Sequence, residues 1–315
     1  DEMKRTLIAV AVLAVLIAIA GIFRWKSSAP TFASLHEELQ YLVTDLAARD
    51  KSVKNCVLSM EAGDGSFSWS GAAGIARADG RIAMTPDTPI FIASITKLYT
   101  ATAVMRLYET GALALDDPMA KYLPEALIRG IHVFEGKDYS REITIRQLLS
   151  HTSGIPDYYT DRPEGGKNLF EMMTADPQRK WSVEEAIARA RTALKPRFAP
   201  GAEASYSDTN YQFLGKIIEK VTGKPLHAVF REFFFQPLGL KHTWLVGRSE
   251  PAEVLAAAPA DVYHEDAVIV KTRYNEAYWA DGGIVSTARD GIVFLKALKE
   301  GRLVKPETLA LMHQW

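Results

Sequence analysis

The sequence predicts an α+β protein in which a helical lobe is inserted into an antiparallel sheet domain. Three observations carry that expectation. Two β-patterned stretches, residues 57–60 and 67–75, stand near the start of the chain; helical patterns fill its middle; and a β-patterned stretch, residues 278–285, returns near the end. No internal repeat interrupts this order.

The elements follow in sequence. Residues 32–49 place Leu35, Leu39, Leu42, Val43 and Leu46 at helical spacing. The stretches 57–60 and 67–75 are joined by Gly63-Asp64-Gly65, a turn that makes them a hairpin. Pro86 and Pro89 break the chain. A helix is expected from Ser94 to Thr110, with Leu98, Ala101, Met105 and Tyr108 on its core face and Gly111 as its stop. Asp116-Asp117-Pro118 opens a short helix; residues 144–149 form another, closed by the turn Thr152-Ser153-Gly154. Gly165-Gly166-Lys167 marks an exposed loop. Ser182 and Glu185 make a capping box for a helix through Leu194. Residues 209–221 are helical, with Tyr211, Leu214, Ile218 and Val221 on one face and Gly223 after them, and Pro225 opens the next helix. Phe233-Phe234-Phe235 is core. Thr287 caps an amphipathic helix running to Leu298.

Composition removes several function classes. The chain of 315 residues is 48% hydrophobic, 24% charged and 10% aromatic, which fits a globular protein. Its 37 basic residues stand against 38 acidic ones, so no cationic excess is available to neutralise phosphates, and nucleic-acid binding is not its main business. A single cysteine, Cys56, excludes an intrachain disulfide framework and a CxxC site.

Two domains are expected: an anchor or signal segment with its linker over residues 1–31, and a catalytic body over 32–315. An uncharged run opens at Leu7 and closes at Phe23, behind Lys4 and Arg5. Its 17 residues reach the lower limit for spanning a bilayer. An uncleaved membrane anchor is favoured, because the run continues past Ala18-Ile19-Ala20, the point at which a signal peptidase would cut. The basic pair before it would stay inside, placing the body outside the cytoplasm. Cleavage near Ala20 would instead release it.

Chemistry concentrates at Ser94-Ile95-Thr96-Lys97. Positions i and i+3 share a helix face, so the Lys97 amine can reach the Ser94 hydroxyl, and a partly desolvated lysine can activate a serine. The helix N-terminus adds N–H groups and a partial positive charge suited to an oxyanion. By itself such a four-residue pattern is expected about once by chance in a chain of this composition. Other chemistries are not supported: there is no G-x-S-x-G elbow, no H-E-x-x-H and no glycine-rich phosphate loop, His264-Glu265-Asp266 reads as a loop, and His151 reads as a hydrogen-bonded structural residue. Neither a metal nor a cofactor is expected.

Context gives the pattern its weight. Residues 91–101, FIASITKLYTA, resemble the nucleophile helix of the serine β-lactamase and penicillin-binding-protein superfamily. Residues 111–118, then Lys121-Tyr122-Leu123-Pro124, and above all 143–156, ITIRQLLSHTSGIP, are similar to its class C branch. Tyr206-Ser207-Asp208 stands where that branch has Y-x-N, and residues 282–290 again resemble it. The resemblance runs from about Leu35 to the end. It implies a β-lactamase/transpeptidase-like fold, with Ser94 as acylated nucleophile, Lys97 as its base partner and Tyr206 as proton shuttle. A lysine ammonium nearby would lower the Tyr206 pKa.

Two departures shape the expectations. Asp208 replaces the usual Asn; an ionised Asp only accepts hydrogen bonds, so its expected work is to cap the helix opening at Thr209 and to hold Lys97. The third motif of the family, K-T-G or H-x-G, is not found, and Lys271-Thr272-Arg273 lacks the glycine. The expectation is a catalytic domain whose last strands lie beyond Trp315. The implied function is acyl transfer through a Ser94 ester on small-molecule or peptidoglycan-like substrates: esters, β-lactams or D-amino-acid peptides, with esters and peptides favoured over lactams because of Asp208. The rival reading is a non-catalytic, membrane-tethered cell-wall binding or regulatory protein on the same fold.

Overall fold

A computed structural model describes residues 32–79, 81–252, 258–269 and 274–314. The apolar run 7–23 and Lys271-Thr272-Arg273 lie outside the described residues. Among those described, no helix is long and apolar enough to cross a membrane. The chain divides into two compact units at Leu42/Val43.

Helix α1 (Leu35–Arg49) straddles that division. Its start is stapled locally: Ser34 Oγ accepts from the Glu37 N–H at 3.3 Å, and Glu37 Oε2 accepts from the Ala33 N–H at 2.9 Å. In the second unit, strands β1 (Asn55–Glu61) and β2 (Ser68–Arg77) pair antiparallel from Asn55↔Gly74 to Glu61↔Ser68, the hairpin that the Gly-Asp-Gly turn predicts. Gly74 is required there: its φ is +89°, and a Cβ would stand 2.3 Å from the Lys54 carbonyl oxygen. Strand β3 (Ile82–Ala83) joins the other edge of β2.

Strand β4 (Ile90–Phe91) leads through the tight turn Ala93–Ile95 into α2 (Thr96–Glu109). This helix is buried on more sides than its amphipathic pattern predicts. Tyr99, Ala103, Val104, Met105 and Leu107 are all buried, while Leu98, Ala101 and Tyr108 are only partly so. Its buried hydroxyls are satisfied: Thr100 donates to the Ala280 carbonyl and Thr102 to that of Leu98. Asp116-Asp117-Pro118 leads into a single tight turn, Met119–Lys121, rather than a longer helix.

The helical lobe follows: α3 (Glu125–Ile128), the small hairpin of β5 (Val133–Phe134) and β6 (Lys137–Asp138), α4 (Ile145–Leu149), α5 (Leu169–Ala175), α6 (Val183–Ala193) and α7 (Asp208–Thr222). Reciprocal capping boxes start α4 (Thr144, Gln147), α5 (Asn168, Glu171) and α6 (Ser182, Glu185). Gly223 ends α7 in the left-handed conformation, and Pro225 precedes α8 (Leu226–Phe230).

The chain continues through the wide turn Arg231–Phe235 and α9 (Gln236–Leu238) to β7 (Trp244–Leu245). Next come the hairpin of β8 (Tyr263–His264) and β9 (Ala267–Val268), then β10 (Ile284–Ser286), α10 (Ala288–Lys299) and α11 (Pro306–Leu311). Of the strand expected over 278–285, only its end is a strand; the residues before it form a buried turn. Among the described residues two three-stranded sheets result, β1-β2-β3 and β4-β10-β7.

One aromatic cluster ties these parts together. The Tyr99 ring of α2 stacks on Phe294 of α10 at 3.8 Å, with Phe230, Phe234 and Phe235 around it. Phe234 and Phe235 are buried, as the triple-phenylalanine run predicts. Each such pair adds about 0.5–1.5 kcal/mol to the burial of its rings. The central strand β10 pairs Val285 with Phe91, so the residues just after β4 lie beside the turn just before β10. That pairing places the site.

Candidate active site

Ser94 lies in the tight turn between β4 and α2, not inside the helix. The residue before it, Ala93, has φ +46°, a left-handed conformation that costs a non-glycine residue about 1–2 kcal/mol. Such a kink lifts Ser94 clear of the helix surface, and its side chain is exposed. As the second residue of its turn, Ser94 has an N–H without an acceptor inside the helix, which suits an oxyanion donor.

Four residues named from the sequence converge here. Ser94 Oγ lies 2.6 Å from Tyr206 Oη and 3.2 Å from Lys97 Nζ. Lys97 Nζ lies 2.5 Å from Asp208 Oδ1 and donates to the Asp281 carbonyl oxygen at 2.7 Å. It also sits 4.9 Å from the centre of the Tyr206 ring. Lys97 and Asp208 are buried, whereas Tyr206 is 49% exposed. The site is therefore a buried ion pair beneath an exposed hydroxyl pair.

Lys97 has three acceptors around one nitrogen, the number an ammonium can serve. Burial works against its charge, but the carboxylates of Asp208 and Asp281 and the Tyr206 phenol outweigh that and hold its pKa above the ordinary value. The surrounding negative charge favours the ammonium form of Lys97 in the resting site.

Tyr206 behaves differently from the sequence-based expectation. Burial, and then the Asp208 carboxylate, raise its pKa; Lys97 and Ser94 pull the other way and lose. The lowering expected from the lysine is outweighed first by the burial of the phenol and then by the Asp208 carboxylate, which stands beside the same ammonium. His151 stacks on the Tyr206 ring at 4.5 Å, and its Nδ1 accepts from the Ser207 N–H at 3.1 Å. Burial and the Lys97 charge drive the His151 pKa down to about 4, so the ring is neutral. The hydrogen-bonded His151 read from the sequence is thus also a platform for Tyr206.

Asp208 holds Lys97 as expected, but it does not cap the helix. Helix α7 begins at Asp208 itself, with Ser207 in the capping position and no side-chain cap bond. The carboxylate has turned to Lys97 instead.

Two buried carboxylates escaped the sequence reading. Asp157 Oδ1 accepts from the Asp208 N–H at 3.3 Å and from that of Tyr159 at 3.0 Å. Its burial, and then Asp208, push its pKa up to about 6. Asp281 lies in the turn before β10, its pKa raised by burial and by Asp208. The available signal was an acidic residue set directly after Ile155-Pro156 and directly before Gly282-Gly283, in otherwise apolar surroundings.

Comparisons with known proteins identify the family. Residues 56–315 match the Beta-lactamase family. Esterase EstB of Burkholderia gladioli is 30% identical over 290 residues, covering 85% of this chain and 71% of that protein. The mitochondrial serine beta-lactamase-like protein LACTB of Mus musculus is 27% identical, over 79% of this chain but only 57% of its own length. Among solved structures, a D-stereospecific amidohydrolase from a Streptomyces species superposes with a TM-score of 0.67 at 30% identity, covering 89% of this chain and 78% of that one.

Proposed function

Because the chain belongs to the Beta-lactamase family, we propose that it is a serine hydrolase that transfers acyl groups through an ester on Ser94. The observation that carries this reading is the three-way contact of Ser94 Oγ with Tyr206 Oη and Lys97 Nζ.

The proposed division of labour draws on the contacts at Ser94. Lys97 donates to Ser94 Oγ, which leaves the Ser94 hydroxyl proton to point to Tyr206 Oη once that oxygen is ionised. In the reactive form Tyr206 is a phenolate and takes that proton as Oγ bonds to the substrate carbonyl carbon. The carbonyl oxygen gains negative charge and meets the Ser94 N–H. Tyr206 then returns the proton to the departing alcohol or amine as its bond to carbon breaks. Water attacks the acyl-enzyme by the same steps in reverse, releasing the acid. Lys97 keeps its proton throughout and stabilises the phenolate and the anionic intermediate.

The substrates are small-molecule or peptide carbonyl compounds. Esters are favoured over β-lactams, in keeping with an esterase among the similar proteins and with Asp208, which offers no donor to a substrate amide oxygen; the amidohydrolase likeness keeps D-amino-acid peptides among the candidate substrates. A chromogenic ester tests the reading: an initial burst of alcohol equal to the enzyme present is expected, and it vanishes in Ser94→Ala. A full-rate steady state in Ser94→Ala would end the assignment.

We also propose that the uncharged run 7–23 tethers the body to a membrane on its outer side, supported by the basic pair Lys4-Arg5 before it. Protease added outside intact cells should cut beyond Ser28; complete protection would reverse the topology.

A further inference from the structure

The third acceptor of Lys97 is neither a side chain nor part of a helix or strand. It is the backbone carbonyl of Asp281, in the turn between Ala277 and Gly283. A carbonyl in a turn is only as fixed as the turn, so what holds the turn bears on where the ammonium sits.

The holding groups are all buried. Tyr158 Oη donates to Asp281 Oδ2 at 2.6 Å, and the Trp279 N–H donates to Asp281 Oδ1 at 3.0 Å. Gln212 Nε2 on α7 donates to the Ala277 carbonyl at 2.7 Å and reaches Tyr158 Oη at 3.3 Å. Tyr158 is itself fixed, since its N–H donates to Thr209 Oγ1 at 2.9 Å. Backbone packing leaves no slack: a Cβ on Gly283 would stand 2.8 Å from the Tyr278 carbonyl oxygen, and one on Gly215 of α7 would stand 2.6 Å from Ala280 Cβ. The Asp281 side chain therefore faces Tyr158 while its carbonyl faces Lys97, and one residue joins the two.

We propose that Asp281 and Tyr158 are positioning residues for Lys97: their hydrogen bond fixes the turn whose carbonyl aims the ammonium at Ser94. This rests on the reading of Ser94 as the nucleophile. The carboxylate of Asp281 has no role toward substrate; it locks its own backbone. Its two oxygens are taken by the Tyr158 hydroxyl at 2.6 Å and the Trp279 N–H at 3.0 Å, which ties the turn to itself and to Tyr158. Loss of the Tyr158 hydroxyl leaves Asp281 Oδ2 without its partner and loosens the Asp281 end of the turn, and the carbonyl then aims Lys97 at Ser94 less closely.

The test uses the whole chain and three variants, Tyr158→Phe, Asp281→Asn and Asp281→Val. Each is titrated with a fluorophosphonate probe, which counts competent sites and gives the labelling rate, and is then assayed on a chromogenic ester. Tyr158→Phe should label to the same final stoichiometry as the unaltered protein, but about 10-fold more slowly, since small misplacements of a catalytic group are costly. Its kcat should fall with KM little changed. Asp281→Asn retains an acceptor for Tyr158 and should be less impaired than Asp281→Val. Fewer sites with an unchanged rate per site would mean that Tyr158 only supports the fold, which overturns the proposal. So would an unchanged labelling rate. If the unaltered protein takes no label at Ser94, the nucleophile assignment falls and the positioning role falls with it; normal labelling without a Tyr158 effect removes the positioning role alone.

Discussion

Replacing Asp208 with Asn should move the pH dependence of acylation to lower pH. The carboxylate lies 2.5 Å from Lys97 Nζ in a pair almost closed to water, with side-chain exposures of 8% and 10%. It raises the pKa of Lys97 and that of Tyr206. Asparagine keeps an oxygen for the ammonium but removes the charge. At an effective dielectric near 20, one charge lost a few ångströms away is worth about 2–3 kcal/mol, or about 1–2 pH units. Tyr206 is the group that must ionise, so the rising limb of kcat/KM should shift toward acid by about that amount. The fold should survive better than the removal of one member of an ordinary buried pair, which costs about 3–5 kcal/mol. Asp281 remains beside Lys97, and both Asp281 and Asp157 lose a repulsive neighbour in Asp208. The assay is kcat/KM on a neutral chromogenic ester from about pH 6 to about pH 10.5. A limb that stays in place, or moves toward alkali, would refute the claim that Asp208 sets the Tyr206 ionisation.

Three further outcomes follow from the same geometry. Tyr206→Phe should lower the acylation rate by about 10²–10⁴-fold with the fold intact by circular dichroism, the usual worth of a proton-transfer group; a smaller loss would point to another base. Asp157→Asn should raise thermal stability at pH 8 but not at pH 4. A carboxyl whose folded pKa is raised to about 6 from 3.8 binds protons more tightly when folded, so it costs stability as pH rises through that window. The gain is at most about 3 kcal/mol, and an equal change at both pH values would contradict it. Gly154→Ala should unfold the His151 segment and cost more than about 2 kcal/mol in urea denaturation. The residue has φ +75°, and a Cβ would stand 2.2 Å from the Phe198 carbonyl oxygen.

Local patterns were legible where the chain itself satisfies its backbone. The Gly63-Asp64-Gly65 turn, the Ser182–Glu185 box and the Gly223 stop all appear where their residues place them, because these devices act within one turn of chain. Tertiary burial was less legible. Helix α2 reads as one-sided, yet it is enclosed by α7, α10 and the turn before β10, which a period of 3.6 cannot reveal. The strand read over 278–285 fails for a related reason: its apolar residues are buried, but in a turn held by Tyr158 and Gln212. In the site, spacing brought Ser94 to Lys97, and family resemblance added Tyr206 and Asp208. The direction of the Tyr206 shift was not legible, because it depends first on the burial of the phenol and then on whether Asp208 faces the lysine or caps its own helix. Nor were Asp157 and Asp281, whose role comes from elements distant in sequence.

The central claim is that Ser94 carries the acyl group. Incubation with a fluorophosphonate, followed by proteolysis and peptide mass spectrometry, tests it most directly. The account predicts one adduct per chain, on Ser94, formed faster as pH rises toward the Tyr206 ionisation and absent in Ser94→Ala. An adduct on another residue, or none on the folded protein, would contradict it.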